Sequence, residues 1–406
     1  MTVWARPGWR WGLILLICLG TSINYLARNS LAVLAPELER LMHFGAKEYS
    51  YVIGGFQLAY TVMQPVCGRV IDQLGVRSGF AIFAVAWSVF GMLHAGASGW
   101  LGFAALRVGL GASEATAIPA GVKVIGEWFK GASRATGVGW LNVGTSFGAM
   151  LAPPFTVFLA ARYGWRTPFV VIGVMGVAWA ALWWLLYRSP DHLQARRERA
   201  PAGPILRTRR FWAIAVPRFL AEPAWQTFSF WIPLYLHDER GWDLKTIAVF
   251  AWAPFLFADL GGIFGGYASP FLIRVFGTGL IRSRVITFGL GAFLMIAPGC
   301  VALAGSPVLA MVLLCVGGLA HQIVSTSVTT LSSDLFPPEQ LAAAAGWVGA
   351  AGWAGGLLFS LLIGQVVGAT GYGPLFGALA VFDLLGLAIL AVSLRHVRPI
   401  DAETAS

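Results

Sequence analysis

The chain has 406 residues, 57% of them hydrophobic and 11% charged, and a net charge of +10 from 28 basic and 18 acidic side chains. A soluble chain carries about 25% charged residues, so this composition excludes a soluble enzyme, a disordered protein and a nucleic-acid binder. The modest basic excess is normal for a membrane protein with basic cytoplasmic loops.

In chain order, apolar runs between charged, proline or glycine breaks predict twelve helical spans. They fall at 11–37, 48–71, 77–97, 100–125, 134–161, 166–187, 211–236, 246–273, 281–304, 307–332, 341–368 and 373–394. Each approaches the roughly 20 apolar residues that cross a bilayer. The runs are too long and too uniform for the alternating strands of a β-barrel. The start has the look of a signal peptide, with Arg6 and Arg10 before Trp11–Leu19 and small residues after. Because apolar spans continue downstream, it is read as a retained first helix. Cys18, Cys67, Cys300 and Cys315 all lie in apolar stretches without CxxC spacing, and are read as packing residues rather than metal or disulfide partners.

Ionisable side chains inside such spans are costly, and each is a functional hypothesis by default. The first span carries Arg28 with no acid nearby in sequence. An arginine fork suits a bound carboxylate, the alternative being a partner on another helix. Between the second and third spans, Gly68 to Arg77 reads G-x-x-x-D-x-x-G-x-R, with Asp72 and Arg77 as its charged positions. In the fourth span Arg107 and Glu114 are seven residues apart, nearly two full turns, so they share a helix face but lie too far apart for a fixed direct bridge. Opposed effects of burial and a nearby arginine suit a carboxyl that gains and loses a proton. A static buried ion network is the alternative.

Residues 188–210 form the one long polar connection, with seven arginines and three prolines. This predicts a first half at 1–188, a basic linker at 189–210, a second half at 211–394 and a tail at 395–406. In the seventh span Arg218 and Glu222 have the four-residue spacing of a helix salt bridge, bracketed by Pro217 and Pro223, which are expected to disturb the helix. Asp259 and Asp383 are assigned structural or gating roles. Tyr25, Tyr60, Gln64, Asn142, Ser146, His321, Gln322 and Ser325 suit either a hydroxylated ligand or interhelical packing.

With the N-terminus inside, the expected cytoplasmic segments hold nineteen Lys and Arg and the outer loops six, which places both termini and the linker in the cytoplasm. The halves repeat weakly. Arg107–Glu114 aligns with Cys315–Gln322 at an offset of 208, and Gly139-Trp140 with Gly346-Trp347 at 207. Such duplication is a transporter feature.

The loop motif at 68–77 resembles the signature loop of the major facilitator superfamily. Further segments carry a narrower resemblance: Asn24-Tyr25-Leu26-Ala27-Arg28-Asn29, Tyr60-Thr61-Val62-Met63-Gln64-Pro65, Gly111-Ala112-Ser113-Glu114-Ala115, Asn142-Val143-Gly144, Pro217 to Trp225, Ala320-His321-Gln322 and Ala380 to Gly386. Over nearly its whole length the chain resembles the bacterial hexuronate transporters, in the anion:cation symporter branch of that superfamily. The resemblance implies an all-α polytopic membrane protein of twelve transmembrane helices in two pseudo-symmetric six-helix halves. It implies uptake of galacturonate or glucuronate by proton symport across the cell inner membrane. No cofactor beyond the coupling proton, no metal, no nucleic acid and no enzymatic activity are expected, and the partners are the small-molecule hexuronate and the lipid bilayer, with a monomer expected.

By that resemblance, Arg28 binds the sugar carboxylate with Tyr25 and Tyr60 nearby; from their polarity within the spans, Gln64, Asn142, Arg218, Glu222, His321 and Gln322 are read as further substrate contacts. Glu114 carries the proton, with Arg107 modulating it and re-pairing with it on release, while Asp72 and Arg77 belong to the gating latch. Many relatives have an acid just before the first-span arginine, where this chain has Ala27. Other readings are the same fold carrying an aldonate or aldarate, an exporter, or a non-transporting membrane sensor.

Overall fold

The structure is a computed structural model that describes residues 9–128, 133–188, 203–336 and 338–395. The core of the expected linker and most of the expected tail lie outside these residues. All regular structure among the described residues is helical. The first half contains α1 (Trp9–Met42), α2 (Ala46–Leu93), α3 (Trp100–Glu114), α4 (Ala117–Trp128), α5 (Ser133–Tyr163) and α6 (Arg166–Leu186). After the short α7 (Gly203–Leu206) come α8 (Arg209–Phe230), α9 (Ile232–Asp238), α10 (Leu244–Phe250) and α11 (Ala253–Phe276). The chain continues through α12 (Leu280–Leu294), α13 (Ile296–Gly299), α14 (Pro307–Leu335), α15 (Pro338–Thr370) and α16 (Gly373–Ser393).

Nine helical stretches among the described residues are long and apolar enough to cross a bilayer. The expected spans at 48–71, 100–125 and 211–236 are helical but are not among the nine. The last two hold Arg107 with Glu114 and Arg218 with Glu222, while Arg28 and Asp383 are buried in stretches that do belong to the nine. The second and third expected spans join without a polar loop. Inside α2 the chain turns at Gly75, with φ 74° and ψ 155°, a left-handed region that a side chain would disfavour.

Prolines explain where other spans break. A proline has no N–H for the carbonyl four residues earlier, and its ring crowds that carbonyl. Pro119 does this to Ala115, and α3 ends at Glu114; Pro233 does it to Ser229, and α8 ends at Phe230. Pro254 stands four residues after the end of α10, and Pro298 four after the end of α12. Pro217 and Pro223 were expected to disturb their helix, yet α8 runs unbroken through both.

The chain divides into two compact units. One comprises Met1–Arg197 with Gly241–Trp252, the other Glu198–Arg240 with Ala253–Ser406. The first unit holds an aromatic core in which Trp183 stacks on Tyr187 at 4.5 Å and Phe80 meets Trp179 edge-on at 5.0 Å. Trp179 also donates its indole N–H to the Leu16 carbonyl at 2.8 Å, tying α6 to α1.

Backbone-to-backbone packing recurs in both units. In the first, a side chain at Gly111 of α3 would strike the Phe56 carbonyl of α2, and one at Gly148 of α5 the Ser22 carbonyl of α1. In the second, Gly318 of α14 lies likewise on Pro254, where α11 begins, and Gly355 of α15 on Phe219 of α8. The paired glycines are 207 residues apart in both cases, and their partners 198 and 197. This register sets Arg28 against Trp225 and Glu114 against His321, one residue from the Gln322 that the sequence alignment had chosen.

Candidate functional site

In the first unit α1, α2 and α3 bring one cluster together. Arg28 donates through Nε to Oε2 of Glu114 at 2.9 Å, with side chains only 3% and 0% exposed. Its guanidinium carbon lies 4.3 Å from the Tyr25 ring centre, 4.8 Å from Tyr60 and 5.3 Å from Phe56. Three ring faces around one cation hold it by quadrupole attraction, an effect that grows when water is excluded. Nη2 also points to Oδ1 of Asn24 at 3.4 Å, one helical turn away.

Arg107 bonds to main chain rather than to the Glu114 carboxyl. Its Nη1 donates to the backbone carbonyl of Arg28 at 3.0 Å, so it holds the main chain that carries Arg28. Glu114 is paired with Arg28 instead, an acid from another helix answering the arginine that has none nearby in sequence. The second oxygen, Oε1 of Glu114, is buried with no hydrogen-bond partner among the described residues. The carboxyl can therefore take a proton there without first losing a bond. Arg107 also lines a small cavity with Trp87, Ser88, His94, Phe169 and Gly173, and its Nε is buried with no hydrogen-bond partner among the described residues. That cavity has room for about one water molecule.

The cluster's position follows from local sequence. The small Gly111 lets α3 rest on the backbone of α2 at Phe56, and Glu114 is the last residue of α3 before the break set by Pro119. Asn24 and Arg28 share a face of α1 by the four-residue repeat, with Tyr25 three residues before Arg28, while Phe56 and Tyr60 stand four apart on α2.

The second unit holds a second polar cluster. Arg218 pairs with Glu222 at 2.6 Å and donates to Ser325 Oγ on α14 at 2.6 Å. Gln226 donates to Oε1 of Glu222 at 3.1 Å. His321, 1% exposed, stacks on Trp225 with ring centres 5.5 Å apart. In the register of the two units, this neutral stack occupies the place of the Arg28–Glu114 ion pair.

Other expected site residues stand apart. Asn142 is exposed on α5, and its backbone carbonyl accepts from Thr145. Gln322 packs on Gly262 of α11. Gln64 lies one turn after Tyr60 on α2, with Oε1 buried and unpartnered. The side chain of Asp72 lies outside the described residues. Arg77 donates to the Trp184 carbonyl at 2.9 Å and lies over that ring at 4.8 Å, while Lys123 reaches the Ile71 carbonyl at 3.4 Å. The cysteines are all free; Cys67 and Cys315 are buried, but Cys300 is exposed, contrary to its reading as a packing residue. No cluster of three metal-binding side chains occurs among the described residues.

Sequence reasoning missed Phe56, Asn24 and Gln226 as members of these clusters. The i, i+4 spacing to Arg28 and to Glu222 was an available signal for the two amides. Phe56 gave none, since an aromatic in an apolar helix reads as core.

Comparison with known proteins gives concordant results. The chain is 44% identical to the hexuronate transporter of Escherichia coli (strain K12), over 97% of this chain and 96% of that one. It is 43% identical to the galacturonate transporter of Dickeya chrysanthemi, over 75% of this chain and 94% of that one. The D-galactonate transporter of Escherichia coli O6:H1 is 25% identical over 94% of this chain and 95% of its own length. Among solved structures, a bacterial homologue of the human lysosomal transporter Spinster superposes with a TM-score of 0.77 at 16% identity, covering 97% of this chain and 98% of that one. These relatives are transporters rather than enzymes, and the sequence pattern described as Major Facilitator Superfamily matches residues 17–281. A helical membrane chain built twice over on one packing scheme, and matched by that pattern across most of its length, belongs to the Major Facilitator Superfamily.

Proposed function

We propose that this protein imports a hexuronate, galacturonate or glucuronate, together with protons, by alternating access across the cell inner membrane, with both termini in the cytoplasm. The observation that carries the reading is the buried Arg28–Glu114 pair within its ring of Tyr25, Tyr60 and Phe56. The names of the relatives that match almost end to end supply the substrate class.

The chemistry is a competition of two anions for one cation. With Glu114 ionised, Arg28 is occupied. When Glu114 takes a proton, the fork of Arg28 is released and can bind the uronate carboxylate through two parallel bonds. The hydroxyls of Tyr25 and Tyr60 then read the sugar hydroxyls. Loss of the proton toward the cytoplasm restores the Arg28–Glu114 pair and expels the substrate. Arg107 keeps the Arg28 backbone fixed throughout, and Asp72 and Arg77 act in gating. The protein needs no cofactor beyond the coupling proton and works as a monomer.

The test is uptake of labelled galacturonate by purified protein in liposomes, with and without an inward proton gradient. The wild type accumulates substrate on the gradient. Glu114→Gln loses most of that accumulation but retains counterflow exchange. Accumulation by Glu114→Gln equal to that of wild type at the same gradient contradicts the mechanism, and no transport of any uronate by folded wild type removes the cargo assignment.

A further inference from the structure

We propose that Asp383 is a second proton-carrying carboxyl of the transport cycle, set in the second unit with Arg218 as its counter-cation. The inference rests on the proton-coupled reading above. Asp383 is 1% exposed on α16, and neither of its carboxyl oxygens has a hydrogen-bond partner among the described residues. An isolated buried carboxylate is far costlier than a buried neutral acid.

Three residues from Asp383, Gly386 meets Pro217 of α8, and the next residue of α8 is the cation Arg218, but that guanidinium is already held by Glu222 and Ser325. Two carboxyls therefore share one cation, and the set is neutral only when one of them carries a proton. The other elements packed on α16 do not alter this balance. From α8 the charges that face it are Arg218 and, through it, Glu222. The charges on α12 are Arg282 and Arg284 in its first turn, beyond the Phe288 that meets Gly386, and Arg284 is bound to Asp334 at 3.0 Å. α13 and the described side chains of α15 contribute none.

Helix packing does not require a carboxyl at this position. One turn along α16, a side chain at Gly386 would meet Pro217 of α8 and Phe288 at 3.5 Å. In the register of the two units, Gly386 and Pro217 correspond to Trp179 and Gly20, which pack together in the first unit. The same register sets Asp383 against Gly176, so the first unit makes the matching contact with no side chain at all. In the cycle, Asp383 takes one proton from the outer side and releases it inward. As the proton leaves, Arg218 is shared between Glu222 and the ionised Asp383, so neither carboxylate is left without a cation.

The experiment measures the proton-to-galacturonate ratio of the full-length protein in liposomes at clamped membrane potential. The wild type moves two protons per substrate and Asp383→Asn one. Its accumulation therefore falls about tenfold for each pH unit of imposed gradient, since one proton per pH unit is worth 1.36 kcal/mol. Asp383→Glu restores the wild-type ratio, and gradient-free exchange persists in Asp383→Asn, which reports that the variant folds. Separately, dicyclohexylcarbodiimide, a reagent for protonated carboxyls in apolar surroundings, labels Asp383 in the wild type. An unchanged ratio in exchange-competent Asp383→Asn overturns the proposal, as does the absence of label at mildly acidic pH. A wild type that never accumulates substrate on a gradient defeats the symport reading itself, which is a different failure from a variant that matches a coupled wild type.

Discussion

Truncating Glu114 to alanine strands a guanidinium that is 3% exposed and loses its one carboxylate partner at 2.9 Å. Among what remains are a long contact of 3.4 Å to Asn24 and three aromatic neighbours, none of them an anion. Breaking a buried pair by removing one partner costs about 3–5 kcal/mol. Glutamine keeps an acceptor oxygen and surrenders only the charge assistance, about 1.5–3 kcal/mol. The first unit has roughly 200 residues, a size at which each kcal/mol moves the melting temperature by about 2–4 °C. Glu114→Ala should therefore melt about 6–20 °C below wild type and Glu114→Gln about half as far below. Adding Arg28→Gln to Glu114→Gln removes the stranded charge, so the double-mutant cycle should give a coupling of about 2 kcal/mol or more. The assay is thermal unfolding of purified protein in detergent without substrate. A coupling near zero, or an alanine variant as stable as wild type, would refute the buried pair.

Three further outcomes follow from other contacts. Gly148→Val should separate α5 from α1, because its side chain would strike the Ser22 carbonyl; overpacking of this kind costs about 1–3 kcal/mol, read as a lower melting temperature, whereas the same change at Gly91, which has open space around it, should leave the melting temperature unchanged or slightly raised, valine being a better helix former than glycine. Arg240 donates to the carbonyls of Val301 and Ala304 and to the Tyr235 hydroxyl, so Arg240→Lys, which lacks the planar fork, should lower stability by about 1.5–3 kcal/mol in the same assay. Asp243 caps α10, and the hydroxyl and amide of Thr246 hold its carboxyl below the ordinary aspartate range. That cap is complete above the ordinary aspartate value and is lost as pH falls through the lower folded value. Asp243→Ala should thus lower the hydrogen-exchange protection of the Thr246 amide, relative to the free amide at the same pH, at neutral pH, while acid should lower that protection in wild type only.

How much of this was legible depended on sequence distance. The Arg218–Glu222 pair lies within one helical turn, so spacing alone revealed it. Arg28 and Glu114 are 86 residues apart, and their meeting depends on how α1, α2 and α3 settle against one another, a matter decided by Gly111 and the Phe56 carbonyl. For the same reason Arg107 was assigned to the carboxyl on its own helix, when in three dimensions it reaches the main chain of another. The helical character of the spans was plain from apolar run lengths, but their internal breaks required reading each proline back four residues. Pro217 and Pro223 show the limit of that rule, since α8 passes through both. The internal repeat was visible in sequence at two offsets, and the glycine contacts fixed the register that moved the partner of Glu114 from Gln322 to His321.

The proline breaks have a further consequence. Each leaves a carbonyl, that of Ala115, Ser229, Phe250 or Leu294, without the N–H that a regular helix would supply. Hydrocarbon chains offer no hydrogen-bond donor, so such a carbonyl is tolerated at membrane depth only where it faces protein or water. Each break is thus a rotational key. A helix free to roll about its own axis would sooner or later turn its bare oxygen toward lipid, and the cost of doing so fixes which side faces inward. For the segment carrying Glu114, the key sits one residue past the carboxylate, so the device that orients the helix also aims the acid.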